Sequence, residues 1–114
     1  MLTFKIEGGC HRSSPQEPGK TWVRPEVLNV PCVGTGEQVT IEWRSLGIEP
    51  WGSFEWTSPT NPGVAPVKAG HTFKLTYAAP AQAMTWTYKI FAAMCTLRVP
   101  DKKIRNVAPE AGAK

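Results

Sequence analysis

The groups able to do chemistry in this chain of 114 residues are few: Cys10, Cys32 and Cys95, His11 and His71, and a scatter of hydroxyls and carboxylates. Hydrolysis needs a nucleophile held against a base. Ser13 and Ser14 follow the Cys10-His11 pair, but adjacency along a chain is not triad geometry, and His11 reads equally as a plain loop residue. Asp101 is the only aspartate, so paired-carboxylate chemistry would fall to glutamates such as Glu42 and Glu55. Both alternate with tryptophan, as outward, solvated strand positions do. A structural zinc site wants two ligands from one short knuckle. Of Cys10, His11, Cys32, His71 and Cys95, only Cys10 and His11 are close, and neighbours in sequence make a poor knuckle. Gly34-Thr35-Gly36 leads into a strand pattern, not into a helix whose N-terminus would hold a phosphate. The expectation is no catalytic residue, no metal ligand, no cofactor, and no enzyme.

The elements that would position any site are strands. Val39, Ile41 and Trp43 alternate with Gln38, Thr40 and Glu42; Phe73, Leu75 and Tyr77 with Thr72, Lys74 and Thr76; Trp86, Tyr88 and Ile90 with Thr85, Thr87 and Lys89. Period two buries one face of a strand and wets the other. The nine apolar members of these runs share one phase and are expected to form one core. Leu2, Phe4 and Ile6, Val27–Val30, Ser53–Thr57 and Lys103–Val107 are further candidates, for about seven strands in all. Gly8-Gly9, Pro18-Gly19, Gly34-Thr35-Gly36, Pro62-Gly63 and Ala69-Gly70 punctuate them. The one helical candidate, 78–84, is held to about one turn by Pro80. The segments 9–20 and 58–70 read as long irregular loops, where binding residues concentrate.

The length suits one domain, expected over residues 1–107, with 108–114 as a flexible tail. No apolar run approaches the roughly 18 residues that span a bilayer, so no membrane partner is expected. The start Met1-Leu2-Thr3-Phe4-Lys5 lacks the pattern of a secretory signal. That favours a cytoplasmic setting unless the chain is a mature form, and with an odd cysteine count it predicts three free thiols. The net charge is +4, with a mild cluster at Arg98, Lys102, Lys103 and Arg105. Those residues read as an edge strand guarded by cations, and the charge is too dispersed to favour a nucleic-acid partner.

Ile41-Glu42-Trp43, Phe54-Glu55-Trp56, Gly70-His71-Thr72-Phe73, Trp86-Thr87-Tyr88-Lys89-Ile90 and Asp101-Lys102-Lys103-Ile104-Arg105-Asn106 follow one another in an order that resembles small bacterial cupredoxin-like domains without an assigned role. The resemblance covers about residues 37–107, and Lys102 stands where the family pattern has proline. It implies an all-β, Greek-key β-sandwich with cupredoxin-like topology and no particular activity. It also raises copper, as the degenerate metalloprotein alternative. A blue-copper site needs two imidazoles, a thiolate and a weak axial ligand. Both histidines precede Cys95, whereas cupredoxins place one after the cysteine, and Thr96-Leu97-Arg98-Val99-Pro100 supply no substitute. Met94 adjoins Cys95 and would face the other side of a strand. The rival fold is immunoglobulin-like, since Cys32, Trp43 and Cys95 have about its Cys…Trp…Cys spacing. Against it, Ala93 stands where its tyrosine would be, and Pro31 and Gly34 flank Cys32.

What remains is aromatic surface. Trp43 and Trp86 read as core. Trp51 sits between Pro50 and Gly52, Trp56 precedes the proline-rich loop, and Trp22 follows another loop. The expected function is a binding or structural module that meets a protein or carbohydrate through Trp51, Trp56, Pro59, Asn61 and Pro62. The competing reading has these rings plugging the ends of a small sandwich.

Overall fold

Alternating apolar residues with β-branched and aromatic neighbours fold as the period requires. The computed structural model describes residues 1–12, 14, 16, 19–47, 50–57, 67–92, 95 and 101–109. Among them are nine strands and no helix: β1 (Leu2–His11), β2 (Lys20–Arg24), β3 (Val27–Pro31), β4 (Gln38–Ser45), β5 (Trp51–Thr57), β6 (Val67–Ala69), β7 (Thr72–Ala78), β8 (Met84–Ala92) and β9 (Lys102–Val107). Residues 78–84, the expected helical turn, form none.

The strands make two packed sheets, of order β2-β1-β4-β7-β6 and β3-β9-β8-β5. Most neighbours are antiparallel, but β1 lies parallel to β4, with Leu2 opposite Val39 and Ile6 opposite Trp43. β3 lies parallel to β9, with Val27 opposite Lys103. β2 and β3 are nearly one continuous segment. At Pro25-Glu26 the chain turns a corner and passes from the edge of the larger sheet to the edge of the smaller.

The core lies between the sheets and includes all nine residues of the expected set: Val39, Ile41, Trp43, Phe73, Leu75, Tyr77, Trp86, Tyr88 and Ile90. Trp43 is its centre. Phe54, Tyr88 and Phe73 meet its ring edge-on, with centroids 4.8, 5.0 and 6.2 Å away. Such geometry sets the positive rim of one ring against the negative face of another.

A buried polar cluster closes the end where β4 begins. The Tyr77 hydroxyl donates to Asn106 Oδ1 at 2.6 Å, and the Cys32 thiol donates to the same oxygen at 3.3 Å. Burial pushes the Tyr77 phenol and the Cys32 thiol above their ordinary pKa values.

Three expectations change. Lys102, Lys103 and Arg105 do not guard an edge, because β9 runs between β3 and β8; Arg98 lies outside the described residues. The cysteines are not all free. Cys10 and Cys95 form a disulfide with Cα atoms 6.0 Å apart, while Cys32 is a buried free thiol. The Cys32–Cys95 bond that the immunoglobulin-like alternative relies on is therefore not made. Sequence could not show that β1 runs on past its apolar start to His11, and so brings Cys10 beside the chain leaving β8. Gly19 covers the bridge so closely that a Cβ there would collide with Cys10 Sγ and lie 3.1 Å from Cys95 Sγ.

Candidate functional site

Trp51 is core. It is 1% exposed, and its indole Nε1 donates to the Trp43 carbonyl at 2.9 Å. The cause is a register shift in β5 between Trp51 and Ser53. In a regular strand Trp51 would share a face with Ser53 and Glu55. The irregularity turns it to the inner side with Phe54, as a bulge does. Its ring reaches under β1, where a Cβ on Gly8 would lie 2.8 Å from Cη2. Trp56 is half-buried and packs 5.8 Å from Phe54, so part of its ring is accessible. Pro59, Asn61 and Pro62 lie outside the described residues. Trp51 thus has no surface to offer a partner.

A different place has the shape of a site. A cleft of about 580 Å³ is lined by His11, Lys20, Thr21, Trp22, Val23, Arg24, Glu26 and Lys102, within the range of natural ligand sites. It follows from the hairpin β1–β2, in which His11 faces Lys20, Gly9 faces Trp22 and Glu7 faces Arg24. Lys20, Trp22 and Arg24 share one side of β2. Thr21 and Val23 point inward, where Thr21 Oγ1 accepts from the Ala92 amide at 3.1 Å. That bond and the Cys10–Cys95 bridge fix β2 against the end of β8.

The charges are graded. Arg24 donates to Glu7 Oε1 at 3.3 Å and lies over the Trp22 ring, 5.4 Å from its centroid. Lys102, the most buried of the cations, holds Glu26 Oε1 at 2.9 Å. That hydrogen bond and the charge of Lys102, with a smaller contribution from Lys20, hold the Glu26 carboxyl below its ordinary 4.5. Lys20 and His11 are exposed, and neither side chain makes an ion pair or hydrogen bond among the described residues. Among the described residues, Lys20, Arg24 and Lys102 meet Glu26 and Glu7, an excess of one positive charge beside a half-buried indole.

Glu26 is a weak base because its charge is stabilised, and it is the one carboxylate among the described residues that line the cleft. Among the described residues, no three of His, Cys, Asp and Glu gather as a metal would need, and the Cys95 sulfur is bound to Cys10. No family model and no curated protein matches the chain.

Sequence reasoning set Trp22 beside a loop and missed β2. The signal was there: Lys20-Thr21-Trp22-Val23-Arg24 alternates with period two. It is short, follows a long irregular stretch and stops at Pro25, so it reads as loop.

Proposed function

We propose that the chain is a non-enzymatic, cupredoxin-like Greek-key sandwich that acts as a binding module, with the β2 cleft as the place where an anionic ligand docks. The strand orders of the two sheets, the two parallel pairs and the passage of one segment from sheet to sheet support the topology. One observation carries the function: Lys20, an exposed cation whose side chain makes no ion pair or hydrogen bond among the described residues and acts on Glu26 only through space, stands beside the half-buried Trp22 in the cleft. An indole face with flanking cations binds by dispersion and charge and needs no reacting group. The Cys10–Cys95 bond suits an oxidising compartment.

The test is a titration at low salt with polyglutamate, a short polyuronate and an oligothymidylate, with polylysine as the control. At least one anionic probe is expected to bind, to weaken as salt rises, and to weaken again in Lys20→Glu. If none binds, or if polylysine binds as well, the cleft is not an anion site.

A further inference from the structure

The cleft is lined by five consecutive residues, Lys20, Thr21, Trp22, Val23 and Arg24. A space over one face would meet the side chains of alternate residues and the main chain of those between. This cleft also takes Glu26 from beyond the end of β2 and Lys102 from the other sheet, so it extends along the outer edge of β2, an edge strand of its sheet. Edge strands present backbone N–H and C=O groups to whatever lies alongside. Among the described residues, the main chain of 20–24 pairs only with β1.

The outward side chains add a spacing. Lys20, Trp22 and Arg24 recur every second residue, at steps of about 6.8 Å. An extended peptide repeats its own same-face side chains at the same step, so acidic residues four apart, with an apolar residue midway, stay in phase with Lys20, Trp22 and Arg24.

From these observations we infer that the occupant is an extended acidic peptide segment that adds to the outer edge of β2. Its backbone bonds to the strand, carboxylates four residues apart face Lys20 and Arg24, the latter already shared with Glu7, and the apolar side chain midway lies beside Trp22. This rests on the anion-binding reading of the cleft and narrows it from charge to strand addition. Thr21, pinned to Ala92, keeps the strand extended before the partner arrives, which reduces the ordering cost of docking.

The experiment uses the intact oxidised chain and two peptides of identical sequence, Glu-Thr-Val-Thr repeated over eight residues, so that Glu and Val take turns along one face. One is unmodified; in the other, alternate amide nitrogens are methylated on the edge that would pair. Binding is read by Trp fluorescence and calorimetry, with oligouronate and oligothymidylate in parallel. The unmodified peptide should bind, the methylated one about tenfold or more weakly because two or more backbone bonds are lost, and Lys20→Glu should cost roughly fivefold. Equal binding of the two peptides overturns strand addition, and so does tighter binding of the uronate or nucleotide probe; in either case the anion-binding reading stands. If no anionic probe binds, both readings fall.

Discussion

Trp51 and Trp22 each stand on an edge strand, but they have opposite fates. Around Trp51 the chain is sealed. The β5 irregularity turns the ring inward, Gly8 leaves room for it, and the indole N–H finds the Trp43 carbonyl. Around Trp22 the strand is regular, Gly9 opposite gives no cover, and Arg24 lies across the ring. A tryptophan becomes core or surface according to the register of its strand and the size of the residue across from it. Flanking proline and glycine decide neither.

The strongest way to break the comparison is to truncate both rings. Trp51→Ala should lower stability by about 3–5 kcal/mol, as for other buried aromatics, while Trp22→Ala should change it by less than about 1 kcal/mol. Urea denaturation midpoints decide it, and equal losses would mean the two environments are alike. Trp43→Ala belongs with the Trp51 variant, because its ring is fully buried.

Next comes the bridge beneath the cleft. Cys10 and Cys95 are 85 residues apart in sequence, and a double serine variant should lose about 2–4 kcal/mol by the usual scale for such cross-links. Mass spectrometry after alkylation without reductant should tag Cys32 alone, and only once the chain is unfolded. Three tagged cysteines would contradict the bridge.

A smaller effect tests the closed end. Tyr77→Phe removes the hydroxyl that donates to Asn106 Oδ1, leaving that buried oxygen only the thiol of Cys32, for a loss of about 1–3 kcal/mol. Cleft affinity should not change.

The smallest effect at neutral pH appears only in alkali. Folding holds the Cys32 thiol above its ordinary 9.0 and both Tyr77 and Tyr88 above 10.0, Tyr88 being pushed up to about 12, chiefly because burial disfavours the charged forms. Their contribution is complete below those ordinary values and is lost as pH rises through the folded ones. Thermal midpoints should therefore hold to about pH 9 and fall between there and about pH 12. Trp22→Ala should leave that profile unchanged, and Tyr77→Phe should shallow it.

Legibility followed the physics. Long strands with one wet face announce themselves, and the residues of β4, β7 and β8 gave their inward sides directly. β2 and β6 did not, because five and three residues carry too few alternations to stand out from loop. The Cys10–Cys95 pairing and the inward turn of Trp51 were hidden for a different reason. Each depends on which strand lies beside which, and on a single extra residue in one of them. The cleft inherits both difficulties: it sits on the short strand, and it takes Lys102 from the far end of the chain.

The parallel pairing of β3 with β9 also bears on how the chain reaches this state. Val27 and Lys103 are opposite one another, and β3 is at the edge of its sheet, so β9 is its one ladder neighbour. The four-stranded sheet therefore cannot close around β3 until residues 102–107 arrive. Before then the hairpin β1–β2 can form, because its partners are near in sequence, while β3 waits with its backbone groups open. Assembly should be slow for a chain of this size, as distant pairings demand. A chain cut before β9 should be prone to join strands with its neighbours.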